Sequence, residues 1–387
     1  MNNKLAVIYG GPSPEHDISI LTGLQAAKIL SSKYEVTNIY WSRDNRWFLV
    51  DNDLESKDFI ENKDIFKKEI TIKYDSNPGF YIKKKKIEID LIVNSCHGGP
   101  GEDGTLQSLF ALLEIDFTGP SLTTSQLCMD KYAFFSLMKS NNMPVLEKHL
   151  VSEKVFPEFE GPYILKPRFG GSSIGVEVVD DYKTAITISS NSDLYIQGAT
   201  IEKYLEESSD LLVAVRSFPQ IDYSEIEKPI RSNNFELFSY TDKYLENGGL
   251  EGSKRELPAN ISKDIKDDIY RILDLFMSIV DIRGIARVDF LLKDKDLYIN
   301  EVNTIPGSHA LYLWDSKGFS KFELMNDMIS EAKNSLSSWS TEGSDGTALK
   351  SAKDIKSKLG ECTEYFGTVM EQSWIPRDSM PMHGRPT

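Results

Sequence analysis

Cysteine is scarce. There are three in 387 residues (Cys96, Cys128 and Cys362), and their spacing fits neither a zinc knuckle nor a disulfide framework. A reduced, cytoplasmic setting is the expectation that follows. Basic charge is in deficit, with 44 Lys and Arg against 59 Asp and Glu and a net charge of −15. That excludes nucleic acid as a general partner; any phosphate must be held by a local cluster of lysines, arginines and backbone N–H groups. No apolar run approaches the roughly 20 residues of a membrane span. The apolar part of the N-terminus, Leu5 to Tyr9, is too short for a secretory signal, so no membrane partner is expected. Internal repeats are absent, as are the G-x-x-x-x-G-K-[ST] phosphate loop and the G-x-G-x-x-G dinucleotide fingerprint.

What is present is an α/β pattern long enough for two or three domains. KLAVIY (4–9) predicts a buried strand, GGPSPEHDIS a Gly/Pro-rich loop, 18–31 a helix and EVTNIYW (35–41) a second strand. This opening suits a doubly wound parallel sheet. IDLIVNS (89–95) continues it as a nearly all-apolar strand, followed by the loop CHGGPGEDG and a helix over 105–114. Residues 57–86 read as charged and irregular, with Lys83 to Lys86 as a solvated edge. A second unit begins near Ser121 with a helix over 124–141, stopped by Asn141-Asn142 and Pro144. In it YILKP and IGVEVV flank a glycine loop. The expected domains are 1–120, 121–201 and 202–338. A tail, 339–387, carries one weakly amphipathic helix at 348–359 and a disordered final dozen residues.

The chemistry concentrates in a few segments. RVDFLLKDKDLYINEVN (287–303) reads as a hairpin, with Arg287 and Asp289 on one face of the first strand and Glu301 and Asn303 on one face of the second. With the turn centred on Lys295, Asp289 lies opposite Glu301. Opposed carboxylates destabilise a bare sheet, and a divalent cation between them removes the repulsion. KPRFGGSSIG (166–175), with Lys166 at its entrance, suits either an anion nest over phosphates or a plain hairpin loop. ATIEKYLEESSD places Glu202 and Lys203 before Tyr204-Leu205, as an adenine-edge strand or a simple exposed strand end. Glu15 and His97 follow buried strands, where open α/β sheets take ligands, although a loop histidine is also commonly structural. FSYTDKYLENGG carries Lys243 and Tyr244 on a lid or an ordinary surface loop.

In their order, these segments resemble the D-alanine–D-alanine ligase family of the ATP-grasp superfamily. GGPSPEHDIS is similar to the family's G-G-x-S-x-E-[HR]-x-[IV]-S. HGGPGEDGTLQSLF is similar to H-G-x-x-G-E-D-G-T-x-Q-G, with Ser108 in place of the last glycine. TGPSLTTSQLCMDKYAFF, KPRFGGSSIGV and RVDFLL…YINEVNTIPG match three further motifs, and the likeness covers residues 4–338.

The resemblance implies a three-domain ATP-grasp α/β fold whose first domain is a doubly wound parallel sheet. It implies an ATP-dependent carboxylate–amine ligase that makes a dipeptide through an acyl phosphate, for peptidoglycan precursors, in a homodimeric enzyme. Its substrates would be D-alanine and ATP, with two Mg²⁺ ions and Mn²⁺ as an alternative. By the same resemblance, Lys131, Lys166, Ser173 and Lys243 would contact ATP phosphates. Glu202, Lys203, Tyr204, Leu205 and Asp210 would hold adenosine, Asp210 with a one-residue shift in spacing. Asp289, Glu301 and Asn303 would bind the metals. Glu15 would pair with the first amino acid's ammonium and His97 would lie near its carboxylate. Ser172 and Tyr244 would join Glu15 in a hydrogen-bonded set, Tyr244 also pointing to an amine nucleophile. Arg287 and the Gly307 N–H would stabilise the oxyanion.

The pattern breaks after Gly307. SHALYLW replaces a segment about four residues longer in the family, and Ala310 stands where a serine would contact the second substrate's carboxylate. Ser308, His309 and Arg255 are the candidate replacement donors. A different second amino acid or amine is therefore the alternative reading, and a non-catalytic nucleotide-binding protein a third.

Overall fold

A computed structural model of the chain describes residues 4–61, 63–230, 254–335 and 340–351. The centre of the first sheet is parallel, with Glu35–Trp41, Lys4–Gly10, Leu91–Asn94 and Asp116–Phe117 side by side in that order. Alternation along the central strand explains its unbroken apolar run. Leu5, Val7 and Tyr9 pack against helix His16–Leu30 and helix Lys321–Lys333 on one face. Ala6 and Ile8 pack with Leu106 and Phe110 of helix Thr105–Leu112 on the other. Both faces are covered, as a doubly wound sheet requires.

Residues 57–86 depart from the expected irregularity. Strands Glu69–Lys73, Gly79–Ile82 and Lys85–Lys86 add in antiparallel fashion beyond Trp47–Val50, which makes an eight-stranded mixed sheet. Glu69–Lys73 buries only Ile70 and Lys85–Lys86 nothing, and Gly79–Ile82, with Phe80 and Tyr81 buried, is too short to show a pattern among the flanking charges. Lys85–Lys86 is the outer edge, consistent with the solvated reading of that run.

The expected helix over 124–141 is two helices, Leu122–Met129 and Lys131–Ser140. Asp130 breaks them with ψ 100°, and its carboxylate accepts from the N–H groups of Tyr132 and Ala133 to cap the second. Apolar spacing runs on across the break because Cys128, Phe134 and Met138 enter one core. The break sets Lys131 at the first position of a helix.

A four-stranded antiparallel sheet follows, in the order Glu177–Val179, Tyr163–Pro167, Ala199–Lys203, Lys148–Leu150. Tyr163–Pro167 pairs along the full length of Ala199–Lys203, so the domain break expected at 201/202 falls inside a strand. The third sheet has the order Arg255–Glu256, Asp222–Pro229, Ser209–Arg216, Ile285–Lys293, Asp296–Asn303. The helix Lys263–Ile279 covers one face through Ile265, Ile269, Ile272, Leu273 and Phe276.

The hairpin closes between Lys293 and Asp296, so its turn centres half a residue before Lys295. Asp289 nevertheless faces Glu301, because a bulge between Asp289 and Phe290 on one strand and Ile299 and Glu301 on the other leaves Asn300 as the extra residue. Buried positions switch there from Leu297 and Ile299 to Val302.

Residues 1–336 form one compact unit and residues 337–387 a second. Among the described residues the second contributes only the helix Thr347–Ser351. The rest of the helix expected at 348–359 and the final dozen residues lie outside the described residues. No helix among the described residues is long and apolar enough to cross a membrane.

Candidate active site

Loops from all three sheets of the first unit open onto one cleft of about 840 Å³. Every described residue given a catalytic, binding or metal role from the sequence lines it, with the exception of His309. Positions 243 and 244 lie outside the described residues.

At one end, Glu15 follows the central parallel strand and accepts a hydrogen bond from the Ser172 hydroxyl. Two glycines make room for this carboxylate. A Cβ at Gly98 would lie 2.3 Å from Glu15 Oε2, and one at Gly171 2.8 Å. Ser172 and Ser173 hold left-handed backbone, φ 53° and 59°, which non-glycine residues keep only where surroundings impose it.

His97 is part of a latch. Its Nδ1 donates to the Ile305 carbonyl at 2.5 Å and its Nε2 accepts from the Thr22 hydroxyl at 2.8 Å. Thr22 Oγ1 in turn accepts from the Ser308 N–H at 3.0 Å. Burial, reinforced by Arg287, lowers the imidazole to about 4, so it is neutral. With both ring nitrogens engaged, His97 reaches the ligand space through the loop it holds. Glu102 fastens the same loop, accepting from Gly98 N–H, Thr304 Oγ1 and Ile305 N–H at 3.0, 3.0 and 2.9 Å. Burial first, and then Glu15, raise its carboxyl to about 7 against the pull of those donors.

A raised folded-state value means stability from Glu102 that is present below about 4.5 and lost as pH rises through about 7, on the order of 3 kcal/mol. Urea melts at pH 5 and pH 8 should show this slope in the native chain and a flatter one in Glu102→Gln. Equal slopes would assign the effect to other groups.

His309 turns away from the cleft. It is 2 % exposed, and its Nε2 is 3.0 Å from Ser95 Oγ. Burial lowers its ring to about 3. It is withdrawn as a donor to a substrate carboxylate, which leaves Ser308 and Arg255 in the cleft. Ala310 is 0 % exposed and closes three consecutive left-handed residues, 308–310.

At the other end three lysines gather, Lys166 buried and Lys131 and Lys148 half-buried. Lys131 donates to the Gly170 carbonyl at 2.5 Å, and burial lowers its ammonium. Lys166 and Lys148 both pair with Glu202, which is 2 % exposed. Burial alone would raise the Glu202 carboxyl, but the two lysines outweigh it and hold it down at about 2. Burial lowers Lys148. It also acts to lower Lys166, where Glu202 and Glu301 outweigh it and the net shift is upward. The strand pairing fixes this cluster, with Lys148 and Ile164 on either side of Glu202.

Beside the lysines lie the opposed acids. Arg287 donates from Nε and Nη2 to the two Asp289 oxygens at 2.7 and 2.8 Å, and Asn303 Nδ2 donates to Asp289 at 3.2 Å. Among the described residues no three His, Cys, Asp or Glu form a closed metal cage. Two carboxylates and an amide oxygen suit a hard cation whose remaining ligands come from phosphate and water. The chemistry of the donor set fits such an ion.

Glu102, Lys148, Glu227, Asn300 and Tyr312 also line or support the cleft and were not picked out from the sequence. Glu102 sat in the quoted GEDG motif, a signal that was there to use. The others are single polar residues whose partners arrive only on folding.

Comparison with known proteins identifies the family. The family models described as D-ala D-ala ligase N-terminus and C-terminus match residues 4–120 and 124–330. A D-alanine–D-alanine ligase from Thermosipho melanesiensis is 32% identical over 340 residues, 84% of this chain and 92% of that protein. The crystal structure of D-alanine–D-alanine ligase from Helicobacter pylori superposes with a TM-score of 0.67 at 25% identity, covering 87% of this chain and all of that one. The VanG D-Ala:D-Ser ligase from Enterococcus faecalis shares the fold, with a TM-score of 0.71 at 24% identity over 86% of this chain and all of its own. The chain belongs to the D-alanine–D-alanine ligase family, ATP-dependent ligases that form a peptide bond.

Proposed function

We propose that the protein is an ATP-dependent D-alanine–D-alanine ligase serving cell-wall precursor synthesis in the cytoplasm, acting as a homodimer of three-domain ATP-grasp subunits. The observation that carries this reading is one cleft holding the Glu15–Ser172 pair, the lysines and the opposed acids.

Lys131, Lys166, Ser173 and Lys243 hold the ATP phosphates. Glu202, the 203–205 backbone and Asp210 hold adenosine. Glu15 pairs with the ammonium of the first D-alanine, its Ser172 partner orients it, and Tyr244 would join that set. One carboxylate oxygen of that D-alanine attacks the γ-phosphorus, the bond to ADP breaks, and an acyl phosphate forms. The amine of the second substrate then attacks the acyl carbon. Arg287 and the Gly307 N–H stabilise the oxyanion, phosphate leaves with the C–O electrons, and the amine loses a proton. Asp289, Glu301 and Asn303, the last with its amide oxygen turned inward, would hold two Mg²⁺ or Mn²⁺ ions that neutralise phosphate charge. Closure over the cleft keeps water from the acyl phosphate.

Gly98→Ala tests the first-substrate end. Its new Cβ would displace the Glu15 carboxylate, and its φ of +63° disfavours a side chain. The KM for the first D-alanine should rise about tenfold or more while that for ATP stays within twofold. Equal changes in both would disconnect Glu15 from the first substrate.

A second reading, with another acceptor amine, is favoured by the buried Ala310 and the short left-handed turn. ADP release and product mass, with ATP, Mg²⁺ and D-alanine beside a panel of other amino acids, decide between the two. D-Ala-D-Ala as the dominant product supports the first. ADP release that needs another amine moves the assignment to the second, and no turnover with any pair overturns both.

A further inference from the structure

The third sheet presents one row of side chains to the cleft. Glu227, Leu212, Asp289 and Glu301 are register partners across four adjacent strands and so share a face. Pro229, two residues beyond Glu227, pairs with Arg255, which extends that face to the sheet's edge. At about 4.8 Å per strand and 3.4 Å per residue, Glu227 stands roughly 10 Å from Asp289 and Arg255 roughly 16 Å, before its side chain reaches back. The acids that suit the phosphate end therefore lie at one edge, with Arg287 beside them, and the Arg255 guanidinium at the other. An amino acid added to an acyl group spans roughly 4 Å per residue, so its carboxylate would fall between them.

The guanidinium is pre-positioned. Glu227, 4 % exposed, accepts from the Tyr312 hydroxyl at 2.6 Å through Oε2 and lies 3.5 Å from Arg255 Nη1 through Oε1. Arg255 also stacks over the Tyr312 ring at 4.9 Å. One edge of the fork and one face of its plane are thus fixed, and a planar fork offers five donors in all. Tyr312 lies two residues after Ala310, on the wall where the expected serine hydroxyl is missing.

We propose that Arg255, positioned by Glu227 and Tyr312, clamps the carboxylate of the second substrate. The acceptor is then an α-amino acid with a free carboxylate, and amines without one are poor substrates. This rests on the ligase reading above. It replaces a neutral hydroxyl with a bidentate, charge-assisted contact.

The test is a competition. Native chain, ATP, Mg²⁺, D-alanine and D-alaninamide are mixed with the two acceptors equimolar, and the ratio of D-Ala-D-Ala to D-alanyl-D-alaninamide is read by mass. Both acceptors carry the same methyl group but differ in amine basicity as well as at the carboxylate, so the change in ratio from native chain to variant reports the carboxylate contact and is insensitive to lost stability. Arg255→Ala should lower the ratio of free-acid to amide product by about 10- to 100-fold from its native value, and Arg255→Lys should fall between. Tyr312→Phe, which keeps the ring and loses the hydroxyl, should lower the ratio in part and raise the acceptor KM more than it lowers kcat. A ratio unchanged in both Arg255 variants overturns the clamp even while dipeptide is made. If the native chain makes neither product, the ligase reading fails and the clamp falls with it.

Discussion

Replacing Glu301 by Gln should lower D-alanine-dependent ADP release by about 10²- to 10³-fold, the effect of removing one charge-stabilising group from a preorganised site. The substitution keeps the shape of the side chain and one oxygen acceptor while removing the charge that faces Asp289 across the hairpin. Asp289 and Glu301 would hold a divalent cation, whose affinity falls with the charge, so the loss should be partly recovered at high Mn²⁺. Thermal melts with and without Mg²⁺ and ATP give a second readout. The native chain should gain several degrees from the pair together, and Glu301→Gln much less. Turnover within threefold of native would remove the opposed acids from the metal assignment.

Glu202→Ala should be the most destabilising single change in the cleft, by about 3–5 kcal/mol in a urea melt, because it leaves buried charge unpaired. Lys148 and Lys166 both rely on this carboxylate, and Lys131 adds like charge nearby. Removing one lysine as well should help. Glu202→Gln with Lys148→Met should recover at least half the loss, since removing both members of a buried pair is far cheaper than removing one. The pH dependence has a definite sign. With its carboxyl held at about 2, Glu202 contributes fully above its unfolded value near 4.5, and the contribution is lost as pH falls through about 2. Acid melts of the native chain should therefore steepen below pH 4.5 more than those of the double variant. A single Glu202→Ala change costing under 1 kcal/mol would show that water reaches the lysines.

The parallel core of the first sheet was legible because burial on both faces leaves an unbroken apolar run, as in KLAVIY and LIVN. The strands between 69 and 86 were not, since Glu69–Lys73 buries only Ile70, Gly79–Ile82 is four residues long and Lys85–Lys86 buries none. Asp130 carried a readable cap signal before Lys131, masked by apolar spacing that is continuous because both helices meet one core. Motif residues such as Glu15, Lys166 and Asp289 line the cleft, whereas Glu102 of the GEDG motif was passed over. Residues that act through a distant partner were missed. Lys148 is 54 positions from Glu202, and Tyr312 is 85 from Glu227, so nothing local marks either. His309 misled for the same reason, its ring being committed to Ser95, 214 residues earlier.

The bulge at Asn300 changes how many ligating atoms a strand can offer. A regular strand shows a ligand one side chain about every 7 Å, with the intervening residue facing away. Here Asn300 and Glu301 both border the cleft, followed by Asn303, so neighbouring oxygens come from adjacent residues. Asn300 Oδ1 lies 3.4 Å from Lys166 Nζ, a contact the added residue makes possible. Excising Asn300 would leave Glu301 opposite Asp289 and the core partners intact, while thinning the crowd of acceptors around that ammonium. The strand would keep its fold and lose density of oxygen where polyphosphate charge must be balanced.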